Sequence, residues 1–251
     1  MAAVKANRSP SWLLNTPIAH RGLHGPGAPE LSRAALLRAV ETGVAAEIDV
    51  RLCRDGIVVI HDENTERVTG VHRVVSESSF AQLRALPVLN SSAPLPSLSE
   101  VLESVNGRVP LLIEIKHRIP AAQIGPPVLA TLAGYKGDWA IQSFDPRIIR
   151  WFRQHAPSVP RGQISGDLSR QGLGRARQLV LETMLWNIVT RPNFLVWDVD
   201  ELPNRLVSIW SAVLRCTVLA WTVQTEQHVA CARRAGAGLI FEHLDPASLY
   251  R

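Results

Sequence analysis

The chain has 251 residues, 46% of them hydrophobic, enough to fill one large core, and α/β barrels of this length commonly stay undivided; one domain over residues 1–251 is expected. The net charge of +5 is scattered, with no basic run interleaved with aromatics, so no nucleic-acid partner is expected, and a small anionic substrate explains the excess equally well. No stretch approaches the roughly 18 apolar residues of a membrane helix, Met1–Pro17 lacks a signal-like apolar core, and Cys53, Cys216 and Cys231 have spacing that suits neither a disulfide framework nor a thiolate zinc site, so a cytoplasmic protein with reduced thiols and no membrane insertion is expected.

In chain order, Ile18–His20 is a short apolar strand that stops abruptly at Arg21-Gly22. A helical pattern over Leu31–Glu41, stopped by Gly43, leads to a strand over Ala45–Val50. Alternate strand residues share a face, so Glu47 and Asp49 project together. Arg54-Asp55-Gly56 is a turn, and Ile57–Ile60 runs back as the second arm of a hairpin, returning His61-Asp62 to the carboxylates. The connection from Asp62 to Pro96 is long, with a short helix near Phe80–Ala85; connections of that length in compact domains usually serve function.

A helix over Ser97–Val105 and a strand over Leu111–Ile115 follow, the latter carrying Glu114 and Lys116 on one face. Strands are then expected at Trp139–Gln142, Val159–Gln163, Phe194–Trp197, Thr217–Ala220 and Gly238–Phe241, separated by helices that include Ala121–Leu132, Arg147–His155, Leu202–Leu214 and Glu226–Ala235. Eight strands alternating with helices predict an α/β fold, a parallel (β/α)8 TIM barrel. Ile57–Ile60 is left over, because Leu52–Gly56 is too short for a parallel crossover.

Three separate strands therefore end in ionisable groups, at the barrel end where this fold places its chemistry. Glu47, Asp49 and Glu114 are hard oxygen ligands suited to a divalent metal, Mg²⁺ or Ca²⁺. His20 and His61 titrate near neutrality and can divide acid and base roles. Arg21 and Lys116 complete an electropositive cradle for phosphate, and lysine is scarce here, with only Lys5, Lys116 and Lys136 among 27 basic residues. Cys53 has no evident base and is treated as packing. Glu30 divides evenly between a site role and a favourable charge in the first turn of a helix. Glu63–Arg67 is expected to be a solvated loop; Gln142, Asp198, Glu242 and His243 are kept out of the core site, and His24, His72, His117, His155 and His228 are loop or helix residues.

His20-Arg21-Gly22, Glu47-x-Asp49, Asp55-Gly56 with His61-Asp62, Glu114-x-Lys116 and Trp221-Thr222-Val223 together resemble the glycerophosphodiester phosphodiesterases, whose motifs they follow in order over most of the chain. The resemblance implies hydrolysis of a glycerophosphodiester to glycerol 3-phosphate and an alcohol, His20 and His61 as catalytic residues, and an insertion that covers the site. Trp221 is a candidate apolar wall for the glycerol moiety. Two departures are visible: Glu30-Leu31-Ser32 stands where the family commonly has Glu-Asn-Thr, and the last strand ends Ile240-Phe241-Glu242-His243 where many members have Thr-Asp. The alternative on the same fold is a phospholipase-D-like or sugar-phosphodiester-cleaving enzyme that releases a cyclic phosphate.

Overall fold

The computed structural model describes residues 9–89, 91, 93–116, 120–166 and 184–250; Lys5 and His117 lie outside them. The chain divides into two compact units, Ile18–Trp139 on one side and Met1–Pro17 with Ala140–Arg251 on the other.

In the first unit, strand β1 (Ile18–Ala19) pairs parallel with β2 (Ala45–Leu52), which pairs parallel with β4 (Leu111–Ile115). All five residues of β4 and the first six of β2 are buried, which is why both read as apolar runs: a parallel strand covered on both faces cannot alternate with polar residues. The helix Arg33–Thr42 starts two residues later than expected because Ser32 is its cap, accepting from the Ala35 amide. The helix Leu98–Val105 opens with a reciprocal capping box between Ser97 and Glu100 and buries Leu98, Val101, Leu102 and Val105.

The leftover strand is β3 (Ile57–Val59), antiparallel to β2 in the register Val50↔Val59 and Leu52↔Ile57. The connection after it has a small core of its own. Val75, Leu83, Val88 and Leu95 pack with Cys53, Val58 and Ile60 of the hairpin, flanked by Val68 and Phe80. Cys53 belongs to that cluster, its thiol donating to the Gly56 carbonyl at 3.2 Å, and burial pushes its pKa up.

The second unit carries parallel pairings among β5 (Trp139–Ser143), β6 (Arg161–Ile164), β7 (Phe194–Asp198), β8 (Thr217–Val223) and β9 (Gly238–Phe241). Its helices begin where short polar side chains cap them, Asp145 before Pro146–His155, Asn204 before Arg205–Leu214 and Thr225 before Glu226–Arg234. The helix expected from Leu202 starts only at Arg205, since Val199–Glu201 forms a separate 3₁₀ turn ahead of it. The complete strand order is β1-β9-β8-β7-β6-β5-β4-β2-β3 with β1 also pairing β2, the topology of a (β/α)8 barrel with β3 outside the ring of eight.

Candidate active site

Strand register assembles the carboxylates. Glu47 and Asp49 alternate along β2, and Asp49 lies opposite Glu114 of β4. One oxygen from each of Glu47, Asp49 and Glu114 falls within 4.8 Å of the others, and all three residues are buried. The turn after β1 secures one of them. The Arg21 amide donates to Glu47 Oε2 at 2.9 Å, and the Gly22 amide reaches the Glu47 carbonyl at 3.1 Å. Arg21 and Gly22 both have left-handed backbone, φ 56° and 75°.

Three acidic groups cannot share a dry site without compensation. Lys116 supplies part of it, with Nζ 2.7 Å from Asp49 Oδ1 and 2.6 Å from Glu114 Oε1. Burial alone would lower the ammonium pKa, but Asp49 and Glu114 outweigh it and hold it at about 12. Burial likewise acts to raise Asp49, and is overcome by Lys116, His61 and Arg21, leaving it at about 2. Glu47 has less help: burial, then Asp49 and Glu114, push its pKa well above the ordinary carboxylate value. Burial also raises Glu114, with Lys116 opposing.

Glu47 Oε1 is buried and has no hydrogen-bond partner among the described residues. An all-oxygen set of three converging carboxylates, one with an unanswered buried oxygen, fits a hard divalent cation. Arg21 approaches from the rim, with Nε 3.5 Å from Asp49 Oδ2.

The hairpin delivers His61 as expected. Its Nδ1 lies 2.8 Å from Asp62 Oδ1, and Arg51 Nε donates to its carbonyl at 2.9 Å. Burial, then Lys116, lowers the imidazole pKa, against the pull of Asp49 and Asp62. His20 directly follows β1 and lies near enough to Glu114 to be among the groups that oppose the rise of its pKa. A pocket of about 570 Å³ adjoins His61, lined by Arg51, Asp62, Glu63, Asn64, Glu66 and Arg67.

Two expectations change. Glu30 does not lie in the helix that follows: it precedes the Ser32 cap, and its carboxylate accepts from Arg21 Nη1 at 3.2 and 3.3 Å. Glu63–Arg67 is not simply a solvated loop, because Glu66–Thr69 is a short helix and Arg67 bridges Asp62 and Glu30. The helical turn is short enough to escape periodicity, and Glu30 is 37 residues away in sequence.

Trp221 belongs to the second unit. It lies on β8 opposite Asp198 of β7, edge-on to Phe144 with ring centroids 5.5 Å apart, and the peptide joining it to Thr222 is cis. Gln142 at the end of β5 is buried, and its Oε1 has no hydrogen-bond partner among the described residues; sequence reasoning had set it aside for want of any signal beyond its place.

The sequence pattern of the Glycerophosphoryl diester phosphodiesterase family matches residues 20–245. The Bacillus subtilis (strain 168) protein YhdW, which carries the name of the same activity, is 29% identical over 243 residues, 91% of this chain and 94% of its own. Human glycerophosphodiester phosphodiesterase 1 is 29% identical over 239 residues, 83% of this chain and 71% of its own. Among solved structures, an Oleispira antarctica phosphodiesterase in complex with the product sn-glycerol-3-phosphate superposes with a TM-score of 0.78 at 23% identity, covering 94% of this chain and 95% of that one; at that identity the likeness establishes the fold.

Proposed function

Because the chain belongs to the glycerophosphoryl diester phosphodiesterase family, we propose that it hydrolyses glycerophosphodiesters to glycerol 3-phosphate and an alcohol, with Glu47, Asp49 and Glu114 holding Mg²⁺ or Ca²⁺ and His20 and His61 as general acid and base. The observation that carries this reading is the convergence of the three buried carboxylates within 4.8 Å, beside a histidine already held by a carboxylate. The product bound by the Oleispira antarctica relative agrees with the substrate class.

A phosphodiester is anionic and repels nucleophiles, so its cleavage needs positive charge on the nonbridging oxygens, a base and an acid. A divalent cation held by the three carboxylates supplies Lewis-acid polarisation of a phosphoryl oxygen. Lys116 donates to Glu114 and pairs with Asp49 by charge at 2.7 Å, and its ammonium would meet the phosphate as a point charge. Arg21 adds a guanidinium at the rim. With Nδ1–H of His61 given to Asp62, Nε2 is the atom that exchanges a proton with substrate. His20, from the neighbouring strand end, takes the complementary role. Three free thiols support placement in the cytoplasm.

The test is hydrolysis of glycerophosphocholine followed by phosphorus NMR. Exhaustive chelation abolishes activity and Mg²⁺ or Ca²⁺ restores it, glycerol 3-phosphate is the product, and alanine at His20 or His61 lowers kcat by about 10²- to 10⁴-fold while bound metal persists. Full turnover in metal-stripped protein removes the carboxylate site from the mechanism, and a cyclic phosphate product replaces hydrolysis with internal transfer.

A further inference from the structure

The Asp62 carboxylate has both oxygens occupied. Oδ1 faces His61 Nδ1 at 2.8 Å, and Oδ2 accepts from Arg67 Nε at 2.5 Å. Arg67 is itself 49% exposed, a long side chain that would wander if only one edge were engaged. Its other edge is engaged: Nη1 and Nη2 fork onto Glu30 at 3.1 and 2.5 Å, the planar bidentate match that guanidinium makes with carboxylate. Glu30 in turn is held by Arg21, whose amide fixes Glu47 and whose Nε faces Asp49. A continuous series of charged contacts therefore runs from the carboxylate cluster along the rim to the His61 imidazole, and the insertion closes it through one residue.

We propose that Arg67 is a positioning residue for His61, acting through Asp62, with Glu30 anchoring the far side of its guanidinium. The proposal rests on the reading of His61 as a proton-transfer group. A carboxylate held at one oxygen can swing and carry the imidazole with it; a carboxylate held at both cannot, so the ring keeps one orientation toward the phosphodiester. The same logic makes the partners of metal-bound histidines worth about 10- to 100-fold when removed. A residue acting this way affects turnover and leaves substrate affinity alone, whereas a guanidinium that met the phosphate directly would act on KM.

The test compares Arg67→Met, Arg67→Lys, His61→Ala and the double variant Arg67→Met/His61→Ala in the metal-loaded enzyme with glycerophosphocholine. The expected result is a kcat for Arg67→Met reduced about 10- to 100-fold at unchanged KM and unchanged thermal midpoint, incomplete recovery in Arg67→Lys, which keeps the charge and loses the fork, and a double variant no slower than His61→Ala alone. A loss that multiplies in full on the His61→Ala background, a loss confined to KM, or wild-type kcat in Arg67→Met overturns the positioning role while leaving His61 catalytic. Normal turnover in His61→Ala removes the underlying reading, and the proposal with it.

Discussion

Lys116 is the residue on which the electrostatics of the cluster turn. It is the cation in contact with both Asp49 and Glu114, and it also contributes to lowering the His61 pKa, second to burial. Replacing it with methionine strands two buried carboxylates, and removing one partner of a buried ion pair costs about 3–5 kcal/mol, to be measured by chemical denaturation in EDTA. The pH dependence contributed by Asp49 reverses as well. In the wild type, Asp49 is depressed from 3.8 to about 2, so its contribution is present above its unfolded pKa and is lost as pH falls through about 2. Without the ammonium, the Asp49 pKa rises above its unfolded value and joins Glu47 and Glu114, which are already raised in the wild type, so its share of the stability is lost as pH rises instead. The His61 pKa, followed by NMR in the same variant, moves upward toward 6.5; no movement would show that Lys116 does not reach the imidazole. Such carboxylates were legible in the sequence because a charge that ends an apolar strand is costly without a purpose. Arg67 was not legible, because its meaning depends on Glu30, brought near by folding across 37 residues.

At the level of elements, the turn between β1 and its following helix is the tightest constraint near the site. A Cβ on Gly22 would stand 3.1 Å from Ala35 Cβ and 3.2 Å from the Ala35 backbone, at φ 75°. Gly43 has nearly the same backbone angle, φ 72°, but open space around it. Gly22→Ala should therefore cost about 1–3 kcal/mol as steric conflict adds to backbone strain, more than Gly43→Ala, and it should also lower kcat because the adjacent Arg21 amide holds Glu47. Equal stability losses in the two variants, read by denaturant titration, would show that the helix yields and that the contact with Ala35 is soft. Strand positions were readable from buried apolar runs, and the hairpin from its short Arg54-Asp55-Gly56 turn. Boundaries were less so: β8 runs on to Val223 and β6 begins at Arg161, because pairing with neighbours extends or trims a strand beyond what its own residues signal.

For the molecule as a whole, on the proposed role of His61, the selectivity among diesters follows from what borders that imidazole. The pocket of about 570 Å³ next to His61 is walled by Arg51, Asp62, Glu63, Asn64, Glu66 and Arg67, charged or amide groups that hold water tightly and that an acyl chain would have to desolvate. Large apolar side chains exposed on the described part of the insertion, Val71 and Leu89, make a small surface beside the groove a lipid chain requires. No helix among the described residues is long and apolar enough to cross a membrane. Glycerophosphodiesters with short polar alcohols should accordingly show a higher kcat/KM than micellar lysophospholipids, and the gap should widen as the acyl chain lengthens. Leu31 bears on the third substrate group, sugar phosphodiesters: it is buried with left-handed φ 58°, and its apolar side chain offers no hydrogen bond where an asparagine would, so hydroxyl-rich diesters should gain nothing over glycerophosphoethanolamine. Measuring kcat/KM for the three groups under one metal condition decides between these outcomes. A clear preference for the lysolipid would mean that the connection after β3 opens an acyl groove instead of presenting a polar wall to the departing alcohol.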